Sequence, residues 1–423
     1  MFFRFFTTAS KMAMNRYRFI ALLIIIIATP NPSSAGGPVH GGKGAGMGTA
    51  FVAVADDGSA MLYNPAGLTQ CQGTNSYGGL SAVNIDSRYE SPAGANEETA
   101  FQLFYPGHLY LSSDFGQKNT VFGFGVFSPF GIGGREWRRQ GLTRFLSTEN
   151  LTGTLALNPT IAYRINPALS VGFGVNYMLT KSEASVMIDQ SVMGGTDAPF
   201  DLEGDGDGWG INAGILYAVN QKVRLGFSFR SPIEVGQTGT AHLNNIAPAA
   251  QPLFGGPTFS TSIRSNMRFP AIISLGIAYN PSKRTLWAFD LEQVRWSSFK
   301  TASLDFGNEV PAAGLTDKTT PLDWRDVLQA KIGIEYKATK SLSLRGGYAW
   351  VPTPVPAHTL EPGNPDADSH NIAVGFGYTT GKFEIDSYLT VGLFEKRSAN
   401  NGLMDGSYEN TTVFSGFSIG YRL

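Results

Sequence analysis

Positively charged and aromatic side chains are concentrated in residues 134–146, whose sequence is GREWRRQGLTRFL. A guanidinium group can bind a carboxylate or a phosphate through paired hydrogen bonds, and neighbouring aromatic groups can hold an apolar chain. The stretch therefore predicts an exposed loop that captures an amphiphilic anion, with candidate contacts Arg135, Trp137, Arg138, Arg139 and Phe145. Two other interpretations remain open: the arginines could bind lipopolysaccharide phosphates, or they could be solvated without a ligand.

A second group of cations lies in segments where apolar and polar residues alternate. Arg224, Arg230, Lys331 and Arg345 take the face opposite the apolar side chains, and Arg268 lies near the start of such a segment. If these segments cross a membrane as strands, a charge facing lipid would cost roughly 2–4 kcal/mol near the middle of the bilayer. We therefore expect the cations to point inward, where they could contact a ligand. The alternative is a structural ion pair for each, with Glu335, Asp290 and Glu384 as possible partners.

Other motifs indicate no catalytic or metal chemistry. Residues 416–420 fit the string G-x-S-x-G, but they lie in an alternating segment and not in the strand–turn–helix elbow that a nucleophilic serine requires. Residues 201–207 (DLEGDGD) lack the full ligand register of a calcium loop. The five histidines are scattered, and the lone Cys71 excludes an internal disulfide or a cysteine-based zinc site. We expect neither an enzyme nor a bound metal or cofactor.

The composition points to a membrane protein built from strands. Charged residues make up 15% of the chain, where about 25% is usual for soluble proteins. Aromatic residues make up 12%, there are 51 glycines, and the mean hydropathy of -0.06 is too low for a bundle of membrane helices. The net charge of -1 gives no indication of nucleic-acid binding.

The N-terminus has the pattern of an export signal. A basic stretch with Lys11, Arg16 and Arg18 precedes the apolar run FIALLIIIIA at 19–28, which is shorter than the roughly 20 residues needed to span a bilayer. Small residues follow at 33–35, so we predict a signal peptide over 1–35 that is cleaved after Ala35.

Strand periodicity dominates the rest of the sequence. In 169–179, 223–230 and 372–378, apolar residues alternate with small or polar residues. Several runs end in tyrosines, such as Tyr177, Tyr279, Tyr336 and Tyr378, as in the aromatic girdle of a membrane barrel. Six short polar turns are predicted near 114–119, 166–168, 220–222, 280–283, 337–340 and 379–382.

The turns alternate with longer loops, predicted at 129–151, 183–207, 237–260, 299–324, 351–369 and 395–410. Six hairpins, one strand before them at 77–86 and one after them at 412–423 predict about fourteen antiparallel strands, an even number as in bacterial outer-membrane barrels. The last residues alternate up to Leu423, which favours a terminal strand recognised by the barrel-assembly machinery.

Several segments resemble the FadL family of outer-membrane transporters. They are residues 44–68 (GAGMGTAFVAVADDGSAMLYNPAGL), 124–132 (FGVFSPFGI), 229–233 (FRSPI), 269–278 (FPAIISLGIA), 296–299 (WSSF), 323–350 and 364–370 (NPDADSH). The resemblance implies an all-β membrane protein, with a hatch containing short helices at 36–76 inside a 14-stranded barrel at 77–423. It also implies a gating or plug-seating role for Asn64, Pro65 and Ala66.

The function that this resemblance implies is passive, selective uptake of long-chain fatty acids across the outer membrane of a Gram-negative bacterium. A ligand captured at the extracellular loops would pass the barrel as the hatch rearranges. The same family transports aromatic or alkyl hydrocarbons, and that alternative stays open. A general porin or a barrel lipase is disfavoured by the hatch and by the missing catalytic set. Expected partners are the hydrophobic ligand, outer-membrane lipid and lipopolysaccharide, and the assembly machinery; the expected state is a monomer.

Overall fold

The computed structural model describes residues 40–423, so the predicted signal peptide at 1–35 lies outside the described residues. Twenty-one strand segments form one antiparallel sheet that closes on itself, because β1 pairs with both β3 and β21. The segments are β1 Thr74–Glu90, β2 Asn96–Glu98, β3 Gly107–Ser113, β4 Thr120–Phe127, β5 Ile132–Glu136, β6 Glu149–Arg164, β7 Leu169–Ile188, β8 Ala198–Ala218, β9 Val223–Arg230, β10 Ile233–Leu243, β11 Phe259–Phe269, β12 Ile272–Tyr279, β13 Thr285–Val294, β14 Thr301–Phe306, β15 Lys318–Pro321, β16 Val327–Lys337, β17 Leu342–Val351, β18 Ser369–Thr380, β19 Phe383–Phe394, β20 Arg397–Ala399 and β21 Gly406–Arg422.

These segments make fourteen wall strands, as predicted. Four wall strands consist of two segments each: β9 with β10, β11 with β12, β13 with β14, and β15 with β16. Pro232 and Pro270 stand at the first two interruptions, because proline has no N–H to donate to the ladder. The short segments β2, β5 and β20 pair with wall strands at the end of the barrel where the long loops lie.

The six predicted turns each join two successive wall strands, but three predicted loops are shorter than expected. The connection predicted at 183–207 is reduced to 189–197, that at 237–260 to 244–258, and the 299–324 region contains β14 and β15. In these regions the backbone hydrogen bonds between strands continue, while the outward side chains become polar, with Glu203, Asp205 and Asp305 exposed. The apolar alternation that signals a strand in lipid therefore stops before the strand does.

The outer face carries an apolar band between two aromatic borders. Near the short turns the exposed tyrosines are Tyr163, Tyr217, Tyr279, Tyr336 and Tyr378. Towards the long loops, Trp209 is 64% exposed and stacks on Tyr177 with ring centroids 4.6 Å apart. This banding is typical of a barrel wall in a bilayer. No helix within residues 40–423 is long and apolar enough to cross a membrane.

The N-terminal residues 40–73 fill the half of the barrel nearest the short turns. They include α1 Gly42–Gly46, α2 Ala60–Tyr63 and a 3₁₀ helix, Pro65–Gln70. Met47, Phe51, Met61 and Leu68 are fully buried between this segment, the hatch, and the wall. Five other helices among the described residues are single turns in the loops and wall interruptions: Ser191–Met193, α3 Gln251–Phe254, Trp296–Ser298, Pro311–Ala313 and Ala357–Thr359.

Glycines on the inner face of the wall allow the hatch backbone to lie directly against it. A Cβ atom on Gly347 would overlap the backbone of Gly48, and one on Gly226 would overlap the carbonyl group of Val52. The small residues that alternate with apolar ones in the sequence therefore lie on the inner side of each strand, where the wall contacts the hatch.

Candidate functional site

The Asn-Pro-Ala motif ties the hatch to the wall. The Asn64 amide donates to the carbonyl oxygen of Val52 at 2.8 Å and to that of Ile215 in β8 at 3.1 Å, and its side-chain oxygen accepts from the Ala66 N–H at 3.2 Å. Asn64 is extended, with φ of -160°, as a residue before proline must be. These contacts join the hatch to β8, and a role of the motif in seating or gating the plug stays a prediction.

A second tie to the wall is a carboxylate that accepts two hydrogen bonds from the hatch backbone. Asp290 Oδ2 in β13 accepts from the N–H of Phe51 at 2.7 Å and of Val52 at 2.9 Å. Two wall strands away, Arg230 of β9 donates to the carbonyl oxygen of Leu62 at 3.0 Å. The sequence indicates that Asp290 faces inward. It contains no signal that its carboxylate accepts hydrogen bonds from the N–H groups of Phe51 and Val52, more than 230 residues away in the chain.

The predicted lumenal cations Lys331 and Arg345 point inward, and both are paired with carboxylates. Lys331 lies 2.9 Å from Glu292, and Arg345 lies 2.8 Å from Glu335 and 2.5 Å from Asp386. Each cation exposes only 2% of its side chain. The ion-pair alternative describes this structure, and a ligand contact for either residue stays a prediction.

The expected inward placement of Arg268 is wrong. Its side chain faces outward from β11 and lies 3.4 Å from Glu234, with 47% of the Arg268 side chain exposed. The inward residues of β11 are Met267 and Phe269 on either side of it. The interruption at Pro270 and Ala271 breaks the alternation between β11 and β12, so the apolar pattern of 272–279 does not extend to residue 268.

The arginine-rich stretch 134–146 divides into an inner and an outer part. Arg135 and Trp137 are buried in the mouth of the barrel, where Trp137 Nε1 donates to the Pro362 carbonyl oxygen at 3.0 Å. Arg138 and Arg139 are exposed, and Arg139 lies 4.0 Å from Asp201. Phe145 is half-buried beneath the guanidinium group of Arg144, 4.0 Å from the ring centroid. The five predicted contacts therefore do not converge on one surface.

Arg135 has a hydrogen-bond donor that no group in the barrel mouth accepts. Its Nε donates to Ser87 Oγ at 2.6 Å, and its Nη2 is buried without a hydrogen-bond partner. Burial lowers the pKa of Arg135 to about 10. Burial likewise raises the pKa of Glu361 to about 7 and that of Asp366 to about 6. These acids belong to a loop segment, residues 360–367, that folds into the barrel mouth beside Arg135.

An apolar layer spans the barrel above the hatch. Its buried members include Tyr89, Phe130, Trp137, Met178, Val235, Phe269, Trp296, Phe299, Trp324, Val355 and Tyr408. At its outer end lies a cleft of about 270 Å³ between β15 and the loops at 352–368 and 395–405, lined by Leu322, Trp324, Val355 and Leu403 among others. At its inner end Phe130 packs on Phe269, with ring centroids 4.7 Å apart. The layer joins an extracellular opening to the wall at Phe130.

The wall is interrupted beside Phe130. The ladder between β3 and β4 ends at the pair Leu109–Val126, and the next backbone bond across this seam is 2.8 Å from the Ala100 N–H to the Glu136 carbonyl oxygen. His40, at the start of the described hatch, contacts the backbone of Ser128 within the interrupted stretch at 3.0 Å. The only sequence signal was Pro129, which directly follows an alternating run.

Comparison with known proteins shows the family to which the chain belongs. The model of the family described as outer membrane protein transport protein (OMPP1/FadL/TodX) matches residues 25–421, nearly the whole chain. The chain belongs to this family. A long-chain fatty acid transport protein of Escherichia coli O6:H1 is 25% identical over 418 residues, covering 88% of this chain and 89% of the relative.

Two solved structures share the FadL-family fold. A FadL homologue of Pseudomonas aeruginosa is 19% identical, with a TM-score of 0.78 over 90% of this chain and 97% of the other. The toluene transporter TodX of P. putida is also 19% identical, with a TM-score of 0.75 over 91% of this chain and 98% of the other. The protein is thus an outer-membrane transporter of hydrophobic molecules.

Proposed function

We propose that this protein takes up long-chain fatty acids by passive, selective diffusion across the outer membrane. The observation that carries the proposal is the buried Arg135, whose free Nη2 stands next to the apolar layer. A fatty acid needs one charged donor for its carboxylate and an apolar surface for its chain, and Arg135 lies where the two meet. The full-length similarity to long-chain fatty acid transport proteins supports the same substrate.

The proposed route begins at the extracellular cleft beside Trp324. The acyl chain replaces contacts within the apolar layer while the carboxylate reaches Arg135 past the loop segment 360–367. The fatty acid then leaves sideways into the membrane through the interrupted seam between β3 and β4, next to Phe130. Since His40 of the hatch contacts that seam at Ser128, movement of the hatch would widen or close the exit.

Uptake of uncharged hydrocarbons is the second candidate function. Lys331 and Arg345 are held by carboxylates, and the described residues that line the cleft at Trp324 include no Lys or Arg. Both observations suit a ligand that carries no charge. In this alternative Arg135 only orders the loop segment 360–367.

Radiolabelled oleate and toluene distinguish the two functions in a Gram-negative strain that lacks its own transporter. Loss of a charged hydrogen bond worth about 1.5–3 kcal/mol predicts at least roughly tenfold slower oleate uptake by Arg135→Gln. Toluene uptake should not change. Arg138→Gln, an exposed arginine of the same loop, is the matched control and should behave as wild type. Toluene uptake without oleate uptake by the wild type would move the assignment to hydrocarbons.

We also propose that the barrel works as a monomer inserted by the barrel-assembly machinery. Each wall strand already has two neighbours, so no sheet edge is left for a second copy. Chemical crosslinking in membranes tests this state, and a crosslinked trimer would contradict it.

A further inference from the structure

A second cleft lies at the opposite end of the barrel, away from the proposed route. Its volume is about 660 Å³, and it is lined by the turn residues 165–168, by the ends of β6, β8 and β9, and by Thr69 and Gln70 of the hatch. The short turns of outer-membrane barrels face the periplasm. The cleft therefore lies at the periplasmic mouth.

Two arginines of the wall converge on the hatch in this cleft. Arg164 of β6 donates to the carbonyl oxygen of Thr69, and Arg224 of β9 donates to Oε1 of Gln70. The Arg224 Nε is buried without a hydrogen-bond partner. Among the described residues that line the cleft, none is Asp or Glu. Two guanidinium groups in a cleft whose lining contains no carboxylate form a site suited to an oxyanion. The nearby Asp56 of the hatch is paired with Lys43 at 2.8 Å.

We propose that this cleft binds a carboxylate or phosphate group, and that the bound anion draws Arg164 and Arg224 away from the hatch. The 3₁₀ helix Pro65–Gln70 then loses both arginine contacts at its end. One side-chain bond to the wall remains there, between the hydroxyl groups of Thr69 and Ser170 at 2.9 Å. Anion binding on the periplasmic side would thus loosen the end of the hatch that lies farthest along the chain from His40.

Hydrogen exchange of residues 65–73 in the purified full-length protein tests the proposal, with inorganic phosphate and laurate as probes at constant ionic strength. Loss of both hydrogen bonds, which have charged donors, predicts a saturable rise in exchange of about a hundredfold or more. Ala218→Glu places a carboxylate among the lining residues. This variant should exchange fast without a probe and should not respond. Ala218→Gln, of the same size but uncharged, should respond as wild type.

The two probes separate the sources of the anion. A response to phosphate assigns the cleft to a water-soluble anion, and a response to laurate alone that Ala218→Glu abolishes assigns it to a fatty acid headgroup. The proposal is overturned by no saturable response to either probe, by a response that Ala218→Glu retains, or by an equal response to sodium chloride. The phosphate result does not depend on which hydrophobic molecule is transported.

Discussion

Replacement of Asp290 by alanine should unseat the middle of the hatch. Its Oδ2 accepts the N–H groups of both Phe51 and Val52, and hydrogen bonds to a charged group contribute about 1.5–3 kcal/mol each. Losing both predicts roughly 3–6 kcal/mol less free energy for local opening, or about 10²–10⁴ faster exchange of these two amides. Asp290→Asn keeps one oxygen acceptor and should lie between alanine and the wild type.

The measurement is amide hydrogen exchange resolved at Phe51 and Val52, in detergent at fixed pH. Asp305→Ala, which removes an exposed carboxylate from β14, is the control and should leave both amides protected. Equal protection in Asp290→Ala and wild type would refute the reasoning, because the hatch would then be held without this carboxylate. Uniformly fast exchange across the strands would show a misfolded barrel, which the mobility of unheated protein on gels detects.

Three further predictions concern the wall, the mouth and the hatch motif. Gly347→Ala should lower the thermal unfolding midpoint, because overpacking costs about 1–3 kcal/mol. The control Gly346→Ala lies on the outward side and should not lower it, since its Cβ would meet nothing nearer than 3.6 Å. Burial raises the pKa of Glu361 from 4.5 to about 7, so the closed loop segment binds the proton more tightly than the open one. Protection of the Gly363 amide should fall as pH rises from about 4 to about 7 and then level off. Glu361→Gln should remove the part of this fall above about pH 6, and Asp366, whose pKa burial raises to about 6, should account for the remainder. Asn64→Ala should speed exchange in the hatch by about tenfold or more, because buried backbone carbonyls lose their donor; unchanged exchange would remove the motif's seating role.

The wall was predictable because its physical signals are local. Alternation in 169–179 and a polar turn at 166–168 each depend on neighbouring residues, and both correspond to the hairpin of β6 and β7. The prediction lost accuracy where a strand leaves the lipid. Around 201–207 the outward residues are acidic, so sequence reasoning placed a loop where β8 continues. The ladder there is held by backbone bonds to β7 and β10, which leave no trace in side-chain type.

The site was less predictable, because its contacts join residues far apart in the chain. Trp137 and Pro362, 225 positions apart, make one such contact. Counting arginines in 134–146 identified a group of similar residues, but it could not show that Arg135 turns inward while Arg138 stays in solvent. Alternation in a strand shows whether a side chain points inward or outward only when the strand is uninterrupted. The interruption after Arg268 led to the wrong prediction that this side chain points inward.

An inward cation can either bind a ligand or be paired within the fold, and its surroundings decide between the two. The cost of lipid exposure correctly predicts that Lys331 and Arg345 point inward. Beside the hatch, however, the interior is packed and dry, and a buried charge without a partner costs several kcal/mol. A cation there is held by polar groups within the fold, as Arg345 is by Glu335 and Asp386, and Arg230 by Asn176 and the Leu62 carbonyl oxygen. Arg135 lies above the hatch beside the apolar layer and keeps one donor free that a ligand can take up. A carboxylate site on the transport route is therefore better sought at Arg135 than at the paired cations Lys331 and Arg345.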